Sequence, residues 1–287
     1  MTGVRVSVAA LVAAVVAFGF VVGACSGSPT VTPPVVTNTP STIESVVIGP
    51  RAEADVPIQV SATVKDAETP IDQLTYRWSA SPNVGTFSGN TFSGNQAFIT
   101  WRPPKGQTTP DVYAITLTVT ESYTSAGQAK QNVVSKSTTV HYNDSPAEVK
   151  ELGYDFLVRK FGNFDVTPAE AVSNFSDSCP GKADELSNIE FNRAMFHILS
   201  ASFPTPVASF NSAFTQGTVQ GPCMFEDIPG PGQTNAGHRE FVNGICFLTT
   251  VYDNFRWYLC DSHFLPPYNT TLASLRGRVP GRVMRAR

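Results

Sequence analysis

The sequence predicts a multidomain chain: an antiparallel β-sandwich, then a small α+β domain with helices first and an antiparallel sheet after them, stapled by two disulfides. Three observations carry that prediction. Between residues 44 and 143, apolar side chains recur at every second position, the period of a half-buried strand. At Ser145 the pattern changes to capping signals and apolar residues three and four apart, and alternation returns near residue 207. Four cysteines, Cys179, Cys223, Cys246 and Cys260, all follow that change.

Composition narrows the function classes. The 287 residues are 41% hydrophobic and 15% charged, with a net charge of −3. That apolar content is enough for packed cores, which excludes a wholly disordered chain. The near-neutral balance supplies no general basic field, so nucleic acid is not an expected partner.

Residues 1–24 read as an export signal, with Arg5 followed by 17 uncharged residues, 6–22. The run ends in Val22-Gly23-Ala24-Cys25, which resembles the lipobox of bacterial lipoproteins. That resemblance implies cleavage before Cys25, acylation of its thiol with palmitate-type chains, and anchoring in membrane lipid. Ser26 in place of Asp implies the outer membrane of the cell envelope. Several acyl chains anchor stably where one binds only marginally. An ordinary signal-peptidase site and an uncleaved anchor helix are the alternatives. Residues 25–43 then form a tether. Pro29, Pro33, Pro34 and Pro40, with no charge between 26 and 41, predict an extended stalk of about 3 Å per residue.

Residues 44–144 form the predicted sandwich. Ile58, Val60, Ala62 and Val64 alternate, as do Leu74, Tyr76 and Trp78, and then Tyr113, Ile115, Leu117 and Val119. Turn-forming clusters at 65–70, 79–90 and 103–106 separate them. Leu74-Thr75-Tyr76-Arg77-Trp78, Gly85-Thr86-Phe87, Thr100-Trp101 and Asp111-Val112-Tyr113 resemble bacterial immunoglobulin-like domains of the polycystic-kidney-disease type. The resemblance implies a buried Trp78 on the third main strand, Tyr113 as a tyrosine corner, and a spacer or contact role. Asp66, Glu68, Asp111 and Glu121 at strand ends read as solvated turn acids or as calcium ligands. Trp101, Phe92 and Phe98 read as core, with an exposed platform for glycan stacking as the alternative.

Residues 145–268 form the predicted α+β domain. Ser145-Pro146-Ala147-Glu148 and Thr167-Pro168-Ala169-Glu170 both have the form of a capping box with Pro at the first helical position. The first helix aligns Val149, Leu152, Phe156 and Leu157 and stops near Gly162; the second covers 168–175. The third, 183–199, aligns Leu186, Ile189, Phe196 and Leu199, with Arg193 beside that stripe. Strands are expected over 207–214, 218–228, 239–252 and 255–264. A hairpin turn at Asp253-Asn254 sets position 260 opposite 247. This order, closing on Trp257-Tyr258-Leu259-Cys260, resembles the nuclear-transport-factor-like α+β cone. The resemblance implies a concave sheet able to hold a small apolar molecule, and Arg193, Tyr252, Trp257 and His263 are the candidate pocket residues. Arg193 as a structural ion pair and His263 as a surface residue are the competing readings.

Four cysteines in an exported chain predict two disulfides. The expected register turns Cys246 and Cys260 to opposite faces, which favours Cys223–Cys246 and Cys179–Cys260. No C-x-x-C, metal-ligand spacing, nucleophile elbow or phosphate loop is present, so no metal, cofactor or catalytic set is expected. Residues 269–287 carry Arg276, Arg278, Arg282, Arg285 and Arg287 and read as a solvated, disordered tail, or as an arm for anionic lipid or polymer. The resulting expectation is a lipid-anchored envelope protein that binds or scaffolds. Its partners are membrane lipid through Cys25, and an envelope protein or a glycan. A small hydrolase, isomerase or dehydratase acting on a small-molecule ligand is the first alternative, and a purely structural assembly module the second.

Overall fold

The computed structural model describes residues 32–109 and 111–265. Cys25 with its lipobox, the first part of the tether and the arginine-rich tail lie outside the described residues.

Alternation in the first half builds two four-stranded sheets. One runs in the order β1 (Thr42–Ile48), β3 (Ile58–Lys65), β6 (Gln96–Arg102), β5 (Thr86–Ser93). The other runs β2 (Arg51–Glu53), β8 (Gln128–Asn143), β7 (Asp111–Ser125), β4 (Thr75–Ser81). Neighbours are antiparallel except β2, which lies parallel to the end of β8. Val60 and Val64 of β3, Ile99 of β6, and Ile115, Leu117 and Val119 of β7 meet in one core between the sheets.

Trp101, not Trp78, is the fully buried tryptophan. The reason is strand position. β6 is an inner strand flanked by β3 and β5, whereas β4, which carries Trp78, is an edge. The Trp101 indole donates to the Val84 carbonyl at 3.3 Å and meets Tyr113 edge-on, which removes it from any exposed glycan platform. Phe92 and Phe98 are half-buried.

Part of the predicted stalk is not free. The Ala126 amide donates to the Pro34 carbonyl (3.1 Å), and the Ser125 hydroxyl both accepts from the Val36 amide and donates to the Val36 carbonyl. Asn38 donates to Glu121 at 2.5 Å, Thr39 to Glu68 and Ser41 to Asp66. The missing charges and the prolines mark a segment that has no apolar pattern from which to build a core of its own. What they do not show is that its polar groups find partners on the end of β7. Glu121 and Asp66, weighed above as calcium ligands, instead hold this segment.

In the second half, helix α1 (Ser145–Tyr154) runs into a π turn over Asp155–Lys160, followed by α2 (Pro168–Ala171) and α3 (Gly181–Met195). The predicted box at Thr167 is present, with Thr167 and Glu170 bonded reciprocally. The cap at Ser145 is shifted by one residue. Asp144 is the N-cap, accepting from the Ala147 amide, and Glu148 reaches back to the Asp144 amide at 3.0 Å. The predicted third helix also stops early. Residues Phe196–Ser202 form strand β9, where Phe196 and Ile198 point inward and His197 and Leu199 outward. A helix would have placed Phe196 and Leu199 on one face; pairing with the next strands selects the period-two alternative.

β11 (Gln216–Pro229), β12 (Glu240–Asp253) and β13 (Arg256–Leu265) form an antiparallel sheet, with β10 (Val207–Phe210) and β9 covering successive parts of the free edge of β11. The β12–β13 turn has Asn254 and Phe255 at φ 47° and 60°, the geometry of a two-residue hairpin. The turn residues are therefore Asn254 and Phe255, one later than the expected Asp253-Asn254, which moves the register by two; a bulge between Thr249 and Thr250 adds one more, so Phe247 faces His263 rather than position 260. The core between this sheet and the helices contains Phe156, Phe161, Phe175, Phe203, Phe225 and Phe264.

Candidate functional site

The end of β8 and the start of α1 are contiguous, so the two bodies meet where the chain passes from one to the other. Arg51 of β2 enters the second body there. Its guanidinium carbon lies 3.5 Å from the Tyr252 ring centroid and 5.7 Å from that of Trp257. Nη1 donates to the Phe214 carbonyl at 2.6 Å, and Nη2 donates to Glu53 and to the Ser145 hydroxyl, both at 2.7 Å. Glu53 accepts from the Ser145 amide at 2.6 Å and from its hydroxyl at 2.8 Å. The Trp257 indole donates to the same hydroxyl at 2.7 Å, and the Tyr252 phenol donates to Asn143 at 2.5 Å. Phe255, at the hairpin tip, stacks on His141 with centroids 3.5 Å apart. Contacts at this tip hold two successive left-handed residues in place.

Burial sets the electrostatics of this joint. It raises the Glu53 carboxyl above its ordinary value, against the pull of the Ser145 amide and hydroxyl and of Arg51. Burial likewise pushes the Tyr252 phenol up to about 12, so it stays a hydrogen-bond donor.

Beside the joint lies a cleft of about 490 Å³. One wall is the exposed face of α1 and the π turn, with Glu148, Glu151, Asp155 and Arg159; the other is the start of β13, with Arg256 and Tyr258. Thr109 of the first body and Asn174 also line it.

Of the four residues expected in one pocket, Tyr252 and Trp257 do meet, with ring centroids 5.4 Å apart. Their ligand-like partner is Arg51 of the first body. Arg193 instead donates to the carbonyls of Lys160, Phe161 and Val166, clamping the chain where it leaves the π turn. Its partners are carbonyls rather than the carboxylate of an ion pair, and burial lowers its pKa. His263 lies on the outer face of the sheet, 3.2 Å from Asp261. Cys179 is joined to Cys260 and Cys223 to Cys246. Cys223 and Cys246 are opposite Gly244 and Gly221, so a side chain fills each gap beside a glycine.

Sequence reasoning missed Arg51, Glu53, Asn143 and Phe255. The available signal was slight: a charged pair two apart immediately after Gly49-Pro50. Among the described residues, no group of three or more His, Cys, Asp or Glu side chains is placed to hold a metal, and no helix is long and apolar enough to cross a membrane.

No family model and no curated protein matches the chain. Among solved structures, it is similar to a Xanthomonas campestris protein provisionally described as a calcium/calmodulin dependent protein kinase II association domain. That match has 10% identity and a TM-score of 0.33, covering 43% of this chain and 88% of the other.

Proposed function

We propose that the protein is a lipid-anchored envelope protein that binds or scaffolds, in which an immunoglobulin-like spacer presents a nuclear-transport-factor-like unit away from the membrane. The observation that carries this reading is the placement of the two chain connections on one long hairpin. The tether meets the Ser125–Gln128 end of β7 and β8, and the second body is joined at the Asp111–Tyr142 end. The 15 residues of β7 separate these poles by about 50 Å. Only eight residues, 26–33, lie between Cys25 and the docked segment. The phenylalanine-filled core beneath the sheet supports contact through surfaces over chemistry in an interior pocket. Two disulfides fit an oxidising compartment outside the cytosol.

The test is the intact mass of the protein taken from its native membrane fraction. The expected mass starts at an acylated Cys25 and is four hydrogens light for two disulfides. An unmodified, reduced chain starting at Met1 overturns the reading.

A further inference from the structure

We infer that the cleft between α1 and the start of β13 binds a short saccharide. This deepens the binding role proposed above and rests on it. At about 490 Å³ the cleft falls within the usual range of small-ligand sites, about 300–1,000 Å³. It is set at the seam of two bodies, a common place for such sites.

Two carboxylates on one wall are paired before any ligand arrives. Asp155 is held by Lys160 at 2.8 Å and by the Asn174 amide at 2.7 Å, and Glu151 by Arg159 at 2.5 Å. A carboxylate has about four acceptor positions, so each retains capacity for a further donor. Opposite them Arg256 is exposed and has no ion pair among the described residues. Tyr258 is half-buried beside it. The cleft therefore offers acceptors on one wall, a free planar donor on the other, and the apolar surfaces of Leu152 and Tyr258 between.

A sugar ring matches this set, because adjacent hydroxyls donate and accept while its C–H face packs on an apolar surface. An apolar ligand would strip water from the carboxylates without replacing its hydrogen bonds. A polyanion would gain no net attraction, because the three carboxylates are balanced by two guanidinium groups and by the Lys160 ammonium on Asp155.

Saturation-transfer NMR on the full-length protein in detergent tests this, with chitobiose, cellobiose and trialanine as probes at low salt. Both sugars are expected to receive saturation, and trialanine none. Glu151→Gln and Arg256→Gln change exposed side chains and leave both disulfides in place. Each is expected to weaken chitobiose about tenfold, the scale of one charged hydrogen bond. No transfer to either sugar, transfer to trialanine alone, or transfer unchanged in both variants overturns the inference. The intact mass of the same preparation reports separately on the anchor, so the two readings fail independently.

Discussion

The Arg51 guanidinium stacks 3.5 Å over the Tyr252 ring, which places a cation of the first body on an aromatic side chain of the second. That relationship predicts that the two bodies unfold as one cooperative unit. Removing the cation leaves Glu53 buried without its charge partner and the Phe214 carbonyl without its donor. Arg51→Ala should therefore cost about 3 kcal/mol and split a single calorimetric transition into two. Arg51→Lys should recover less than half of that loss, because an ammonium cannot reach Phe214, Glu53 and Ser145 from one planar fork. One unchanged transition in Arg51→Ala would show that the joint carries no coupling.

Ser145 separates two roles that its sequence context merges. Its hydroxyl serves Arg51, Glu53 and Trp257, while Asp144 caps the helix. Ser145→Ala is expected to cost about 2 kcal/mol and to quench or shift Trp257 emission. Asp144→Ala should cost about 1 kcal/mol and leave that emission alone. Equal emission changes in the two variants would contradict the division.

Much of the architecture was readable because one period dominates each segment. Val60, Val64, Leu117 and Val119 alternate without interruption, and the structure buries all four. The Thr167 box was readable because its geometry is entirely local. Ser145 misled because Asp144, one residue earlier, takes the cap and Glu148 reaches back to it, while Glu53 takes the Ser145 hydroxyl. Phe196 to Leu199 carried both periods at once, and only the neighbouring β11 decides between them. The joint was invisible for a related reason: Arg51 and Tyr252 are distant in sequence, and neither has a local pattern that names the other.

Glu185 predicts the direction of the pH dependence. It lies between α3 and β13, accepting from Ser262 at 2.5 Å and from Asn188 at 3.2 Å. Burial, with smaller contributions from Asp261 and Asp184, pushes its pKa from 4.5 up to about 7. The folded state then holds the proton more tightly than the unfolded chain. Its contribution to stability is complete below about pH 4.5 and is lost as the pH rises through about 7, on the order of 3 kcal/mol. Glu185→Gln should flatten the stability profile across that interval and be the more stable form at pH 8. Denaturant titrations at pH 4.5, 6 and 8 measure it, and parallel profiles for the two proteins would sink the assignment.

The two disulfides should differ in worth. Cys179–Cys260 closes a separation of 81 residues and Cys223–Cys246 one of 23. Loop-closure entropy then assigns about 4.5 kcal/mol to the first and about 3.4 to the second. The longer bridge also fixes the start of α3, where Gly181 packs so closely that an added Cβ would lie 2.3 Å from the Cys260 carbonyl. Paired serine variants, unfolded in denaturant, should rank in that order. A reversed ranking would mean that structure retained in the unfolded chain outweighs loop length.

The docked tether gives a prediction about where the chain becomes pliable. Both polar groups of the Val36 backbone are bonded to one hydroxyl, that of Ser125, and Asn38 is held by the buried Glu121. Ser125→Ala removes the first pair of bonds without disturbing the ladder that pairs Ser125 with Gln128. Amide hydrogen exchange at Val36 should then speed up by at least about tenfold, while Thr42–Ile48 keeps its protection. Glu121→Gln should have a smaller effect at Val36, since it leaves both Ser125 bonds in place, although its single amide oxygen can accept from the Asn38 side or from Thr69 but not from both. Unchanged exchange at Val36 in Ser125→Ala would show that the Pro34–Ala126 bond alone keeps the tether on the hairpin, leaving the hydroxyl without a positioning role.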